Sequence, residues 1–207
     1  MSILWHQLKV FGNIKAREEW IEVLVMKWKI LGSESLFSAG LFHLKADRCE
    51  LPDGRVMPRY FVMDFPDWVN VLPMTENHEA LLIKQYRHAS KEVHIEIPGG
   101  SMDPRLNENA EQAARRELLE ETGFDCQEMI AVGSHFPNPA LQSNCMHTFL
   151  ARGCFEKQEQ KLDAFEDLEI YRCSLEQLKD HIRDGDIDHS LMLASLLKCL
   201  QWMSQNS

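Results

Sequence analysis

The segment that decides the fold spans residues 99–124 and reads GGSMDPRLNENAEQAARRELLEETGF. Within it, residues 108–122 have the three- and four-residue apolar spacing of an amphipathic helix. The apolar stripe consists of Ala110, Ala113, Ala114 and Leu118. Asn107 is the predicted N-cap, and Gly123 stands where a left-handed C-cap belongs. We therefore predict a helix that follows a glycine-containing loop.

The last turns of this helix carry three glutamates on one face. Glu117, Glu120 and Glu121 are three and four residues apart, at the end where the helix dipole already places about -0.5 charge. Arg116 can relieve part of the repulsion, and a bound cation would relieve the rest. Carboxylate oxygens suit Mg²⁺, with Mn²⁺ as the alternative. We therefore predict a divalent cation bound by this cluster of carboxylates. The alternative, common for an isolated motif, is a solvated charged face.

Outside this segment, the chain alternates between strand-like and helical patterns. Pro52-Asp53-Gly54 is a strong turn between two extended runs, 41–51 and 55–65. Further predicted strands lie at 68–72, 80–87, 94–97, 129–134, 146–151 and 168–173, and further helices at 175–183 and 191–203, with a short helix considered for 15–26. This mixture indicates an α/β or α+β fold.

Composition limits the function classes. The chain has 207 residues, enough for one sizeable core, and a formal net charge of -10. That charge opposes binding to nucleic acid or to an anionic membrane, so a polyphosphate substrate would need local cations. The six cysteines include no Cys-x-x-Cys pair, and the first residues lack the pattern of a signal peptide. We expect a cytoplasmic protein that binds neither nucleic acid nor membrane.

From Glu108 onward, the deciding segment resembles the Nudix hydrolase signature, G-x5-E-x7-R-E-U-x-E-E-x-G-U, where U is a bulky apolar residue. The resemblance implies that Glu108, Arg116 and Gly123 have structural roles. One departure lies in the loop, where seven residues instead of five separate Gly100 from Glu108. An insertion within residues 103–107 accounts for it and leaves the predicted metal helix intact.

Flanking motifs narrow the resemblance to the branch of ADP-ribose pyrophosphatases and nucleoside diphosphate sugar hydrolases. These motifs are Glu96-Ile97-Pro98-Gly99-Gly100, Gln85-Tyr86-Arg87 and Asn138-Pro139-Ala140-Leu141. The resemblance implies a Nudix-type α/β/α sandwich with a mixed central sheet and an N-terminal antiparallel extension. The expected boundaries are 1–75 for the extension and 76–207 for the catalytic domain. It also implies a homodimer in which the N-terminal strands contact the partner.

The resemblance further implies Mg²⁺-dependent hydrolysis of the pyrophosphate bond in ADP-ribose or a related nucleoside diphosphate sugar. With that chemistry, Glu117 and Glu121 are our first-choice metal ligands, and Glu120 and Glu96 are the supporting ones. Glu120 is also counted among the catalytic residues. The branch places its general base in a late loop, for which Glu166 is our choice, with Asp167 and Glu169 as alternatives. The products would be a nucleoside monophosphate and a sugar phosphate.

Substrate binding is predicted for residues on both sides of the glycine loop. The backbone of Gly99 and Gly100 can approach phosphate oxygens closely because neither residue has a Cβ. Arg87 follows an apolar strand and could pair with a phosphate, ahead of Arg59 and Arg55. Two aromatic side chains, Trp28 and Tyr86, could stack on a base or ribose.

Two other functions stay open on the sequence alone. A nucleotide-sensing module that binds without cleaving would fit a chain that had lost glutamates of the signature, but none is lost here. The second alternative function is that of a pyrophosphohydrolase acting on RNA ends or dinucleotides. The net charge and the lack of a Lys/Arg cluster argue against a long nucleic-acid partner.

Overall fold

The structure is a computed structural model that describes residues 26–206, so the helix considered for 15–26 lies, apart from Met26, outside the described residues. The chain divides into two compact units, Met1–Met63 and Asp64–Ser207. The division precedes the boundary expected at residue 75. The reason is that strand Trp68–Thr75 pairs inside the sheet of the second unit.

The first unit contains a three-stranded sheet. Its strands are β1 (Lys29–Ala39), β2 (Phe42–Glu50) and β3 (Val56–Asp64), in that order across the sheet. β1 and β2 are antiparallel. The predicted turn between β2 and β3 is confirmed: Gly54 has a φ of 84° and donates its N–H to the carbonyl of Leu51.

The second unit contains a seven-stranded mixed sheet. Its strands are β4 (Trp68–Thr75), β5 (Glu79–Arg87), β6 (Glu92–Glu96), β7 (Gly99–Ser101), β8 (Phe124–His135), β9 (Met146–Glu156) and β10 (Leu168–Ser174). The order is β10-β5-β4-β9-β8, with β6 paired to β5 and β7 paired to β4. β4 and β9 run parallel, whereas the other pairs are antiparallel.

Three helices cover the two faces of this sheet. They are α1 (Ala110–Thr122), α2 (Leu175–Asp184) and α3 (Ser190–Gln205). The core on the α1 face includes Val69, Val71, Leu81, Ala113, Ala114 and Leu118. The core on the α2 and α3 face includes Leu72, Leu82, Leu150, Leu178 and Leu196. The predicted α/β/α sandwich is therefore confirmed. None of the helices described here is long and apolar enough to cross a membrane.

α1 begins two residues later than predicted. Asn109, not Asn107, is the N-cap: its side chain accepts from the backbone N–H of Gln112, whose side chain accepts in turn from the backbone N–H of Asn109. This reciprocal capping box satisfies two N–H groups that would otherwise lack partners. Asn107 has a φ of 50° and belongs to the preceding turn. The prediction for Asn107 was wrong because it ignored Gln112 three residues after Asn109.

The C-terminus of α1 is joined to the loop between β9 and β10. The carbonyl of Gly123 accepts from the N–H groups of Lys157 and Gln158, and the carbonyl of Glu120 accepts from Lys161. Gly123 has a φ of 74°, as expected of a left-handed C-cap. A Cβ on Gly123 would collide with the carbonyl oxygen of Gln158. Glycine is therefore required here both for its backbone angle and for its small size.

We expect Gly123→Ala to destabilise the protein more than Gly185→Ala. Both glycines are left-handed C-caps, so each substitution costs about 1–2 kcal/mol for its φ. Only Gly123 lacks room for a methyl group, since nothing lies within 4 Å of a Cβ at Gly185. The extra cost of overpacking is roughly 1–3 kcal/mol. Urea unfolding of both variants measures the difference, and equal destabilisation would contradict the steric argument.

Candidate active site

Two glutamates of α1 are buried against the sheet. Glu117 is 9% exposed and Glu121 is 3% exposed, although neither belongs to the apolar core. Glu120, on the same helical turn, keeps 40% of its side chain exposed. The three carboxylates predicted to share a face therefore differ in environment, and Glu117 and Glu121 are the two withdrawn from water.

The Gly99-Gly100 segment packs directly on these two carboxylates. The N–H of Gly99 donates to Oε2 of Glu121 at 2.8 Å. A Cβ on Gly100 would lie 2.5 Å from Oε1 of Glu117, so any larger residue would displace that carboxylate. The missing Cβ atoms, from which we predicted a close approach to phosphate oxygens, here allow a close approach to the two glutamates.

Burial changes the protonation of both side chains. Burial raises the pKa of Glu117 to about 7, although Arg116 opposes the shift. Burial likewise raises the pKa of Glu121 to about 8, with the Gly99 N–H opposing the shift and the charges of Glu117 and Glu166 adding to it. A carboxylate with so little solvent and so little compensating positive charge binds either a proton or a cation.

Arg116 organises the acidic cluster through five hydrogen bonds. Its Nε and Nη2 donate to the two oxygens of Glu108 at 3.0 and 2.7 Å, and Nη2 also donates to the carbonyl of Ser101 at 3.2 Å. Its Nη1 donates to Glu117 at 2.8 Å and to Glu120 at 3.1 Å. The guanidinium therefore connects the glycine loop, Glu108 and the helix.

The longer loop before α1 leaves this arrangement intact. Asp103 and Arg105 form an ion pair across the turn, and the carbonyl of Asp103 accepts from the N–H of Leu106. Glu108 lies before the helix and not in its first turn, and its Oε1 accepts from the N–H of Asp103. The extra residues form a turn that brings Glu108 within reach of Arg116.

Arg87 forms a bidentate ion pair with Glu96. Its Nε and Nη2 donate to the two carboxylate oxygens at 2.9 and 2.7 Å, and Nδ1 of His189 lies 3.4 Å from the same carboxylate. Burial of Glu96 would raise its pKa, but the hydrogen bonds from Arg87 and His189 outweigh burial and hold it at about 2. Both Arg87 and Glu96 are therefore charged, and Arg87 keeps 42% of its side chain exposed.

Glu166 lies in the loop between β9 and β10, which α1 anchors. Its Oε2 accepts from the N–H of Asp163 at 3.0 Å. Its negative charge contributes to the raised pKa values of Glu117 and Glu121. Asp167 and Glu169, the alternatives, are both exposed.

The other residues predicted to bind substrate belong to the first unit or to β5. Trp28 and Arg59 belong to the first unit, where Trp28 packs edge-on against Tyr60 and Arg59 pairs with Glu34 at 2.6 Å. Arg55, also in that unit, pairs with Asp53. In the second unit, Tyr86 is exposed on β5. The substrate contacts predicted for these residues stay predictions.

A cavity of about 370 Å³ adjoins the glycine loop. Besides Gly99 and Gly100, the side chains that form it include Trp68, Asn70, Arg87, Met146, His189 and Met192. Asn70 and His189 were missed by the sequence analysis, because each is an isolated polar residue without a local motif. A second cavity, of about 380 Å³, lies at the opposite end of β4 around Thr75 and His78, away from the carboxylates.

Within residues 26–206, no three His, Cys, Asp or Glu side chains are already arranged around a metal position. The donor set nevertheless fits a hard divalent cation. Glu117 and Glu121 are buried carboxylates, and Glu120 and Glu166 add negative charge beside them. Arg116 now occupies one oxygen each of Glu117 and Glu120, so these are the contacts that a cation would have to share or replace.

Comparison with known proteins agrees with this architecture. The NUDIX domain family matches residues 65–196, and the nucleoside diphosphate sugar hydrolase N-terminal domain matches residues 28–62. The chain is 30% identical to the ADP-ribose pyrophosphatase of Bacillus subtilis over 149 residues, covering 72% of this chain and 79% of the relative. It is 29% identical to the methanol dehydrogenase activator of Bacillus methanolicus over 160 residues, covering 77% and 85%.

A solved structure shares the fold. The crystal structure of an ADP compounds hydrolase superposes with a TM-score of 0.76 at 23% identity, covering 87% of this chain and 96% of that one. The chain therefore belongs to the Nudix hydrolases and is a pyrophosphohydrolase. Its first unit carries the N-terminal domain of the nucleoside diphosphate sugar hydrolases, so the branch predicted from the flanking motifs is confirmed.

The buried glutamates predict a pH dependence of stability in the metal-free protein. The folded-state pKa of Glu121 is about 8, against 4.5 for an ordinary glutamate, so its contribution is complete below pH 4.5 and is lost as the pH rises to 8. Each pKa unit corresponds to about 1.4 kcal/mol. Glu121→Gln retains the acceptor for Gly99 and should therefore flatten this decline.

Urea unfolding with a chelator, at intervals from pH 5 to pH 8, measures the effect. We expect the variant to gain a few kcal/mol over wild type across this range. Glu111→Gln, an exposed change on the same helix, is the control and should follow wild type. Parallel curves for wild type and Glu121→Gln would contradict the prediction.

Proposed function

We propose that this enzyme hydrolyses the pyrophosphate bond of ADP-ribose or a related nucleoside diphosphate sugar, with Mg²⁺ as cofactor and Mn²⁺ as an alternative. The observation that carries the proposal is the burial of Glu117 and Glu121 against the Gly99-Gly100 loop, beside a cavity of about 370 Å³. Likeness to a named ADP-ribose pyrophosphatase and the N-terminal domain match support the substrate class.

Glu117 and Glu121 are the residues that would hold the metal, with Glu120 in support. When bound, the metal would neutralise charge on the diphosphate and lower the pKa of a bound water. The protein contributes position: Gly99 holds Glu121 by its N–H, and Arg116 holds Glu117 and Glu120 by Nη1. Glu96 has a weaker claim as a ligand, because both of its oxygens already accept from Arg87.

Glu166 is the proposed general base. Its loop is fixed to the C-terminus of α1 through Lys157, Gln158 and Lys161, and its negative charge acts on Glu117 and Glu121. A base beside the metal ligands can take a proton from a water held there. Arg87 is the proposed cation for a phosphate, since 42% of its side chain is exposed and it lines the cavity together with Gly99 and Gly100.

We also propose that the enzyme is a homodimer formed through its first unit. Every residue of β1 is exposed, and the strands of this unit expose large apolar side chains. These include Ile30, Leu31, Phe37, Val56, Met57 and Phe61. Apolar side chains concentrated on one small sheet favour association with another surface.

Turnover of a substrate panel tests the activity. Purified protein with Mg²⁺ should hydrolyse at least one of ADP-ribose, UDP-glucose and GDP-mannose to a monophosphate and a sugar phosphate. Glu121→Gln and Glu166→Gln should each lower kcat/KM about 10²- to 10⁴-fold, because one removes a metal ligand and the other the base. The exposed Glu111→Gln should retain full activity. No turnover of any such compound by wild type would refute the proposal.

Sedimentation tests the dimer. Wild type should have twice the chain mass, and Ile30→Glu or Phe37→Glu should shift it towards the monomer, because a buried unpaired charge is costly. Leu197→Glu changes an equally exposed apolar residue on α3 and is the matched control. A monomeric wild type, or dissociation by Leu197→Glu alone, would argue against the first unit as the interface.

A further inference from the structure

His189 lines the cavity beside the glycine loop, and the mechanism above assigns it no contact with substrate. It shares the lining of that cavity with Arg87, Gly99 and Gly100. Its side chain keeps 32% of its surface exposed, whereas the side chain of Glu96, which it contacts, keeps 1%. His189 is therefore a polar side chain that a molecule in the cavity can reach.

One edge of the imidazole ring lies against Glu96. Nδ1 of His189 is 3.4 Å from Oε1 of that buried carboxylate. Burial raises the pKa of Glu96, but the hydrogen bonds from Arg87 and His189 outweigh burial and hold it at about 2, so Glu96 is charged and can only accept hydrogen bonds. In the neutral ring, Nδ1 therefore carries the proton and Nε2 has a free lone pair.

The other ring nitrogen, Nε2, is open to solvent. Within residues 26–206, no group forms a hydrogen bond with Nε2 of His189. It is not buried either, because the side-chain nitrogens and oxygens that are both buried and unpaired in that range belong to Asn70, Gln85, His135 and Asn144. A hydrogen-bonding group of a ligand can therefore replace the water at Nε2.

The segment before α3 determines where His189 lies. Ile187 is buried in the core, and Nδ1 of His94 on β6 is 2.7 Å from Oδ1 of Asp188. His189 itself is the N-cap residue of α3. Contacts at three successive residues thus fix the position of the ring before any ligand binds, and a group that is already in place loses little entropy on binding.

The rest of the lining indicates which group of a substrate Nε2 would meet. Its apolar surface comes from Trp68, Met146, Leu191 and Met192. Arg87 is the proposed contact for a phosphate, and the neighbour of a phosphate in a nucleoside diphosphate sugar is a sugar. A sugar has apolar C–H faces, and its hydroxyl groups can donate to a lone pair such as that of Nε2.

We infer that His189 is a specificity-determining residue whose Nε2 accepts a hydrogen bond from a sugar hydroxyl of the substrate. The inference rests on the proposed function and adds to it a direct contact with the sugar next to the diphosphate. ADP-ribose contains two such sugars, the ribose of the nucleoside and the terminal ribose. The experiment separates them.

The test compares kcat/KM of wild type and His189→Asn on three compounds. These are ADP-ribose, its analogue built on 2′,3′-dideoxyadenosine, and an alkyl ester of ADP that lacks the terminal sugar. Asparagine has an N–H that can take the place of Nδ1 but no counterpart of Nε2. We expect the variant to lower kcat/KM for ADP-ribose about 3- to 10-fold, the effect of one neutral hydrogen bond. That loss should disappear on the one analogue that lacks the contacted hydroxyl, which identifies the sugar.

Further variants show whether the loss belongs to Nε2. His189→Gln has an amide oxygen that can take the place of Nε2, and it should recover most of the loss. His189→Asn should fold because Asn is favoured at an N-cap, and His189→Ser, also favoured there, stands in if it does not. Asp188→Asn weakens the same segment at a residue that does not line the cavity, so it should lower the unfolding temperature but not alter the ratio between compounds.

Three outcomes would overturn the inference. An equal loss on all three compounds would mean that His189 acts only through Glu96 and Arg87 and not on a sugar. No loss on any compound would mean that His189 is not part of recognition. A loss in His189→Gln as large as that in His189→Asn would contradict a contact made by Nε2.

Binding measured by calorimetry distinguishes failure of the inference from failure of the proposed function. Wild type without metal should bind ADP-ribose more tightly than His189→Asn does, by the same factor of about 3 to 10. If wild type neither binds nor hydrolyses any nucleoside diphosphate sugar, the proposed function fails and the inference fails with it. If wild type binds and hydrolyses ADP-ribose but His189→Asn matches it in both measurements, only the inference fails.

Discussion

The burial of Glu117 and Glu121 is the constraint on which the site depends. The apolar stripe of α1 packs on the sheet, and these two carboxylates lie on the part of the helix that packing removes from water. Burial makes their charged forms costly, so their pKa values rise to about 7 and 8. The packing of α1 on the sheet thus produces two buried carboxylates, and each of them binds a proton or a cation strongly.

Arg116 offsets the mutual repulsion of the carboxylates and so keeps the arrangement ordered. Its five hydrogen bonds connect Ser101, Glu108, Glu117 and Glu120, so the loop before α1 and the end of α1 are held by one side chain. Arginine suits this role because its planar group offers five donors in fixed directions. The two extra loop residues are tolerated because the loop needs only to deliver Glu108 to Arg116.

Much of the fold and of the site could be predicted, because many of its features depend on residues that are close together in the sequence. The stripe of α1, the C-cap Gly123 and the turn at Gly54 depend on neighbouring residues, and all were found. The start of α1 was missed by two residues, because Asn107 and Asn109 both favour an N-cap and only Gln112 decides between them. Asn70 and His189 could not be predicted, since their partners Ser195 and Glu96 lie far away in the chain.

The charge balance of the site links the cation to the substrate. Two guanidinium groups, Arg87 and Arg116, stand among six carboxylates: Glu96, Glu108, Glu117, Glu120, Glu121 and Glu166. Arg87 is matched by Glu96, and Arg116 is shared among three others, so the region around Glu117 and Glu121 has excess negative charge once they ionise. A diphosphate would be repelled from it. Affinity for the substrate and affinity for the cation should therefore be coupled, each increasing the other.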